Sequence, residues 1–194
     1  MGLLTREDLF SLEQYAQERP VFRASVLEHK KTRKVMLGEN LTLYFEDRLT
    51  MQYQIQEMLR IEKILEADGI QEELDAYNPL IPDGNNLKAT VMVEFDDVEE
   101  RKQALTELVG IEDHVWVRAA DHDKVYAISD EDLDRSDAEK TSAVHFSRFE
   151  FTPDMVKDLQ SGASLAMGCD HRRYDYVIDV IDDATRTSLV ADLQ

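Results

Sequence analysis

The apolar and polar positions predict a long helix in the first third of the chain. Residues 45–67 contain no Gly or Pro and are rich in strong helix formers. At about 100° per residue their apolar side chains fall on two sides of a helix. A polar ladder runs between these sides at every fourth position, formed by Arg48, Gln52, Gln56 and Arg60. Because a helix that is apolar on two sides is covered on both, we expect a central helix whose polar groups are held between other elements.

Two helices and a hairpin are predicted before the central helix. Thr5 followed by acidic residues is typical of an N-cap, so a first helix is expected from about residue 6 to 17. Pro20 suits the first position of a second helix, and residues 34–45 have the pattern of a β-hairpin. After the central helix, Gly69 is the expected C-cap.

The second half alternates strand-like and helix-like segments. Strand patterns occur at 87–95, 114–119, 124–129, 142–151, 163–168 and 176–181, and helix patterns at 96–110, 153–160 and 183–193. Hairpin-like spacing without regular βαβ repeats favours a mostly antiparallel or mixed sheet. The predicted fold class is α+β, with N-terminal helices, a hairpin and the central helix packed on that sheet. Phe146, Phe149 and Phe151 break strict alternation, which predicts a bulge in the longest strand.

The chain is expected to form a single domain over residues 1–194. Its strongest loop signal, which combines two prolines, an Asp-Gly pair and two asparagines, lies at residues 78–86. If the chain divides into subdomains, the boundary is expected there. It would separate a helical part at 1–77 from a sheet-rich part at 86–194.

Charge and composition narrow the classes of partner. The formal net charge is −19, from 22 basic and 41 acidic residues, whereas phosphate-rich partners need a basic surface. Nucleic acid and anionic membrane surfaces are therefore not expected as partners. The sequence has no signal-peptide apolar region and no apolar run of the roughly 20 residues that span a bilayer. With Cys169 as its one cysteine, the chain is expected to be a soluble cytoplasmic protein of a reducing compartment.

Motifs for the common catalytic chemistries are absent from the sequence. It has no dinucleotide-binding glycine motif, P-loop, zinc-protease motif, serine-hydrolase motif or calcium loop. The first candidate site is instead on the central helix, where Tyr53, Glu57 and Arg60 share one side. Because buried charges must be paired, these residues form either structural ion pairs or the lining of a polar ligand cavity.

A second candidate site lies on the long strand at 142–151. Alternation places His145 on one face of this strand and Arg148 with Glu150 on the other. The predicted bulge would bring these polar groups together. Arg148 is therefore a candidate ligand contact.

The third candidate is a metal site. Cys169, Asp170 and His171 follow a strand end, and the Cys-x-His spacing places two metal-ligating side chains near each other. His145 would complete the shell together with Asp170 or Glu57. The cofactor would then be a single transition-metal ion. The competing interpretation is a hydrogen-bonded histidine that orders the loop.

The chain has one basic cluster, at the end of the second predicted helix: His29, Lys30, Lys31, Arg33 and Lys34. Cations at a helix C-terminus are favoured by the helix dipole, which explains the cluster without a binding function. The alternative is a docking patch for an anion or an acidic partner.

Several segments resemble one family of bacterial proteins that is labelled only as a domain of unknown function. They are LTREDLFSLEQY, EHKKTRKVMLGENLTLYFEDRLTMQYQIQEMLRIEKI, IQEELDAYNPLIPDGNNLKATVMVEF, EKTSAVHFSRFEF and LAMGCDH, which together cover nearly the whole chain. Members of the family are often encoded beside a rubrerythrin and an iron–sulfur oxidoreductase of the heterodisulfide-reductase type. The resemblance implies a role near peroxide or thiol redox chemistry, with these two proteins as candidate partners. It carries over no catalytic residue.

Two functional hypotheses follow. The first is a non-catalytic accessory protein of a redox system, which binds a ligand or partner through the basic cluster and the polar ladder. The second is a mononuclear metal protein or metalloenzyme with His145 and His171 as ligands. Whether the chain catalyses a reaction and whether it forms a homodimer are left open by the sequence.

Overall fold

The computed structural model describes residues 2–133, 135–137 and 139–194. Its helices are α1 (Leu12–Lys30), α2 (Arg48–Glu62), α3 (Ala67–Tyr77), α4 (Val98–Glu107), α5 (Pro153–Gln160) and α6 (Asp183–Val190). Its strands are β1 (Lys34–Leu37), β2 (Leu41–Glu46), β3 (Asn86–Val93), β4 (Val115–Ala119), β5 (Val125–Tyr126), β6 (Ile128–Ser129), β7 (Val144–Glu150), β8 (Leu165–His171) and β9 (Tyr174–Ile178). The predicted α+β class is confirmed. Within the described ranges, no helix combines the length and apolarity needed to cross a bilayer.

The strands form two antiparallel sheets where the sequence predicted one. The first sheet has the order β1-β2-β3-β7-β6, and the second has the order β5-β4-β8-β9. The chain passes from the second sheet to the first at Ala127, whose N–H donates to the Val115 carbonyl at 2.8 Å. The segment 124–129, predicted as a single strand, is therefore shared between the two sheets as β5 and β6.

Alternation along each strand of the first sheet separates a buried inner face from an outer face. On β3, Leu87, Ala89, Val91 and Val93 point into an apolar core shared with the second sheet. The helical layer has an apolar cluster of its own, made of Leu4, Met51, Ile55, Leu59, Leu74 and Ile81. The outer face of the first sheet consequently lies next to α2 and α3 and carries the more polar side chains.

The strand β7, which the sequence predicted as the longest, has no bulge. Its register with β3 runs without interruption from Asn86 opposite Glu150 to Met92 opposite Val144, so the predicted bulge is wrong. His145 lies on the inner face and Arg148 on the outer face, as simple alternation requires. The aromatic pattern arises because both faces of β7 are covered, so apolar side chains are accommodated on either side.

The first helix is longer than predicted. α1 begins after Ser11, whose side chain accepts a hydrogen bond from the Gln14 N–H, and it continues through Pro20 instead of starting there. The prediction of two helices separated at Pro20 is therefore wrong. An interior proline costs a helix about 3 kcal/mol. The rings of Tyr15 and Phe22, on either side of Pro20, pack with centroids 6.3 Å apart, and this contact favours one continuous helix.

The central helix is shorter than the predicted 45–67. α2 begins after Asp47, whose carboxylate caps the helix, so Phe45 belongs to β2. It ends at Lys63 in the left-handed conformation, with φ of 56°, and Gly69 lies inside α3 instead of forming the cap. α1 and α3 both pack against α2, which is the predicted coverage on two sides.

Gln52 and Gln56 of the polar ladder hold the N-terminal segment in place, whereas Arg60 is exposed and is not covered as predicted. In that segment Arg6–Asp8 forms a short 3-10 turn where the sequence predicted a helix. The Gln52 side chain donates to the Asp8 carbonyl at 2.6 Å, and the Gln56 side-chain oxygen accepts from the Phe10 N–H at 2.5 Å. Buried backbone groups must find hydrogen-bond partners. These side chains supply partners for backbone groups of an irregular N-terminal segment that belongs to no sheet.

Candidate functional site

A groove of about 980 Å³ lies between the end of α3 and the outer face of the first sheet. Tyr77, Pro79 and Leu80 form one wall, and Phe146 of β7 lies on the opposite side. The charged lining residues are Asp75, Asp83, Lys88, Glu131, Asp132, Arg135, Arg148 and Glu150. Carboxylates outnumber cations five to three in this set, so the groove is acidic.

The cations of the groove are held by its own carboxylates. Arg148 donates to both carboxylate oxygens of Glu131 at 2.9 Å and to Glu150 at 2.7 Å. The hydrogen bond with Glu131 raises the pKa of Arg148 and lowers that of Glu131. Arg135 is paired in the same way with Asp132, at 2.7 and 2.8 Å. Arg148 therefore lines the groove as a predicted ligand contact, but its donors are occupied in this structure.

A second cavity of about 390 Å³ adjoins the groove and shares Tyr77, Leu80 and Phe146 with it. The other residues that line it are Lys30, Tyr44, Glu46, Met51, Gln54, Thr90, Met92 and Val144. We call it the Glu46 cavity. It lies between α2 and the outer face of β2, β3 and β7, and five of its eleven lining residues are aromatic or thioether side chains. Glu46 is the one carboxylate among these lining residues.

Glu57 is the centre of the site predicted on the central helix. Its carboxylate accepts hydrogen bonds from Tyr15 at 2.6 Å, from Arg19 at 2.7 and 2.9 Å and from Arg60 at 3.1 Å. The hydrogen bond from Arg19 holds the pKa of Glu57 at about 2. Tyr53 packs against an aromatic ring of α1, with centroids 6.1 Å apart. The geometry is that of ion pairs that join α1 to α2.

Replacing Glu57 with glutamine is expected to lower the free energy of unfolding by about 1–3 kcal/mol at neutral pH, because charge-assisted hydrogen bonds are lost. The folded pKa of Glu57 lies below its ordinary value of 4.5, so this stabilisation is present above pH 4.5 and is lost as the pH falls. Urea unfolding of both proteins between pH 6 and pH 3.5 should show the difference shrinking by about 1 kcal/mol. A difference that is constant with pH would contradict this assignment, and the exposed Glu18→Gln provides the control.

The basic cluster does not form a continuous surface patch. Arg33 is only 2% exposed and pairs with Asp192, while its other donors bind the Phe45 and Glu46 carbonyls at 3.0 and 3.1 Å. His29 contacts the Asp47 carboxylate at 2.5 Å. Part of the cluster therefore serves to join α1, β2 and the C-terminal segment.

His145 is fully buried within a network of carboxylates and hydroxyls. Its Nδ1 lies 2.6 Å from Asp130, and its Nε2 lies 2.9 Å from the Thr141 hydroxyl and 3.7 Å from Glu112. Glu112, Asp130 and His145 each place one potential ligand atom within 4.8 Å of the other two. Three such atoms are close enough to hold a metal ion. Because the carboxylates approach different ring nitrogens, the observed contacts are those of a hydrogen-bond network.

Local structure explains how these carboxylates reach His145. Asp130 takes a left-handed conformation, with φ of 56°, directly after β6. This bend lets its other oxygen accept the Phe146 N–H at 3.1 Å. Burial pushes the pKa of Glu112 up, but hydrogen bonds, chiefly from Ser136 and also from Thr141, outweigh it and leave the pKa below its ordinary value.

Two comparisons bear on the identity of the chain. Residues 3–193 match the family described as protein of unknown function (DUF3501). The chain belongs to the DUF3501 family. A crystal structure of a protein of unknown function from Burkholderia pseudomallei K96243 is 53% identical, covers 100% of both chains and has a TM-score of 0.95. No curated protein matches the chain. The resemblance to a family of unknown function is thus confirmed.

In this DUF3501 protein the other predicted metal ligands are not part of the His145 group. His171 is on β8 of the second sheet, where its Nδ1 accepts the Arg173 N–H at 3.3 Å. Asp170 accepts from three side chains, Tyr126 at 2.6 Å, Lys124 at 2.9 Å and His114 at 3.1 Å. Burial raises the pKa of Cys169 to about 11, which disfavours the thiolate that binds metals.

Sequence reasoning missed most residues of the groove and two members of the His145 group. Asp130 stands at the start of an acidic segment that has the composition of a surface turn, and Glu112 belongs to no recognised motif. One signal was available for the groove. The outward positions of β3 and β7 carry Lys88, Thr90 and Phe146, and this mixture of charged, hydroxyl and aromatic side chains is typical of a strand face that is partly covered.

Proposed function

We propose that this DUF3501 protein is a non-catalytic accessory protein that binds a ligand or a partner segment in the acidic groove. The observation that supports the proposal is the groove itself, because ligand pockets in proteins measure about 300–1,000 Å³ and combine apolar walls with a few polar groups. The family resemblance implies a bacterial redox system as the setting. An iron–sulfur oxidoreductase and a rubrerythrin are the candidate partners.

The charge of the groove favours a basic partner segment. Its cations are paired with its own carboxylates, through contacts such as Lys88 to Asp83 at 3.3 Å and Arg148 to Glu150 at 2.7 Å. Four of the five carboxylates share the three cations and Asp75 adds a further negative charge, so the groove has an excess of two negative charges. Complementary charge speeds association and selects partners, and the net charge of −19 acts in the same direction.

Isothermal titration calorimetry with the purified rubrerythrin and the purified iron–sulfur oxidoreductase of the same organism tests the proposal. The double variant Asp75→Lys/Asp132→Lys reverses two exposed charges of the groove and should weaken binding at least about tenfold. The control Glu18→Lys/Asp96→Lys makes the same change in net charge at exposed positions that do not line the groove. Binding to neither protein, or equal weakening in both variants, would overturn the proposal.

A second candidate function is binding of a single transition-metal ion by Glu112, Asp130 and His145. The observation that favours it is the grouping of one imidazole and two carboxylates within 4.8 Å, since this donor set suits zinc, iron or manganese. Elemental analysis of untagged protein tests this function. A metal content near one ion per chain supports it, and a content far below that removes it.

A further inference from the structure

We infer that the Glu46 cavity binds an alkylammonium group, the positively charged end of a small amine or of a lysine side chain. The inference rests on the proposed function, because it names the chemistry that a ligand in the adjoining groove presents. Three features carry it: a buried carboxylate with no ion pair among the described residues, aromatic and thioether side chains in the lining, and lining residues that the cavity shares with the groove.

Glu46 is buried, with 7% of its surface exposed, yet its hydrogen-bond partners among the described residues are neutral. The hydroxyls of Thr50 and Thr90 donate to its two carboxylate oxygens at 2.6 and 2.8 Å. In the part of the chain that the structure describes, no Lys, Arg or His nitrogen lies within 4.0 Å of this carboxylate. A carboxylate has about four acceptor sites, so two hydroxyls leave capacity for an ammonium donor. A buried carboxylate is usually paired with a cation. Glu46 lines the cavity, so a cation bound there could pair with it.

The walls of the Glu46 cavity suit the rest of such a ligand. Tyr44, Tyr77 and Phe146 supply aromatic rings, and the face of an aromatic ring attracts a cation. Met51 and Met92 supply thioether groups that adapt to an alkyl chain. Tyr77 and Phe146 also line the groove, so the groove is the neighbouring space for the rest of a ligand whose ammonium lies at Glu46.

Among the described residues that line the cavity, Lys30 is the one cation. Its ammonium does not occupy the position beside the Glu46 carboxylate. Its ammonium lies 5.8 Å from the ring centroid of Tyr53, on the neighbouring helix, and not within ion-pair distance of Glu46. The nearby Lys34 is placed over Tyr44 in a similar way, 5.4 Å from the ring centroid. Lys30 therefore repels a bound cation without occupying its place, and its removal should tighten binding.

Methionine-methyl NMR tests the inference directly, because Met51 and Met92 line the cavity whereas Met155 and Met167 lie in the core between the sheets. The probes are cadaverine and Nα-acetyl-lysine N-methylamide, with 1-pentanol as the uncharged comparison. Both amines, or either one, should shift the Met51 and Met92 signals saturably and leave those of Met155 and Met167 in place. Binding of the capped lysine alone identifies a partner side chain, and binding of cadaverine alone identifies a free amine.

Three variants complete the experiment. Glu46→Gln should weaken amine binding by about tenfold or more, since hydrogen bonds to charged groups contribute about 1.5–3 kcal/mol. Lys30→Met should strengthen it, and the exposed Glu66→Gln should leave it unchanged. No shift with either amine, an equal response to 1-pentanol, or full binding by Glu46→Gln would overturn the inference. If Glu46→Gln binds both amines as well as the wild type does and also keeps its partner binding, this inference fails while the groove proposal stands.

Discussion

Replacing Arg33 with methionine is expected to lower the free energy of unfolding by about 3–5 kcal/mol, the cost of removing one partner of a buried ion pair. The guanidinium is 2% exposed and lies between Asp47, 3.4 Å from its Nε, and Asp192, which it also contacts. It also satisfies the Phe45 carbonyl at 3.0 Å. Its loss leaves the buried Asp192 carboxylate without this donor, removes the ion pair to Asp47, and takes a donor from the buried Phe45 and Glu46 carbonyls.

Urea unfolding followed by circular dichroism measures this effect. Lys31→Met is the matched control, because the Lys31 side chain is 69% exposed and pairs only with Glu28. Exposed ion pairs contribute about 0–1 kcal/mol, so the control should change stability by less than about 1 kcal/mol. Similar small changes in both variants would mean that Arg33 does not join α1 to the C-terminal segment as described.

Replacing His145 with leucine is expected to lower the free energy of unfolding by about 2–4 kcal/mol. The imidazole is fully buried, and the change leaves Asp130 and Glu112 without a polar contact that each now has. His122→Leu is the control, because His122 and its partner Asp158 are 30% and 52% exposed. That control should lose less than about 1 kcal/mol.

Melting temperatures of the wild type and His145→Leu, measured with and without added metal, distinguish a hydrogen-bond network from a metal site. If Glu112, Asp130 and His145 form a hydrogen-bond network, added zinc or manganese leaves the melting temperature of the wild type unchanged. If they bind an ion, the metal raises the melting temperature of the wild type and leaves His145→Leu where it was. A loss of less than about 1 kcal/mol in His145→Leu without metal would contradict the structural role of the histidine.

Local sequence patterns predicted a secondary-structure element correctly where a single local feature determines it. The hairpin at 34–45 follows from two strand patterns around Gly38, whose φ is 74°, a conformation that glycine adopts easily. The polar ladder was recognised, but its partners were not predictable, because Gln56 binds the backbone of Phe10, 46 residues away. Which groups such a ladder holds depends on tertiary packing and leaves no trace in local spacing.

The two-sheet arrangement and the groove were beyond sequence reasoning for the same reason. Alternation shows that a strand has two faces, but not which other element covers each face. The passage between sheets at Ala127 depends on one backbone hydrogen bond to Val115. Asp75 of α3 and Arg148 of β7 likewise line one groove only because the helical layer packs on the sheet.

Hydrogen–deuterium exchange of the DUF3501 protein, alone and with the partner that binds it most tightly, tests the groove proposal most directly. The proposal predicts slower exchange in residues 75–83 and 144–150, which form the two sides of the groove, and no change in the same peptides of Asp75→Lys/Asp132→Lys. Protection confined to other surfaces, such as the exposed edge strand β9, would contradict it.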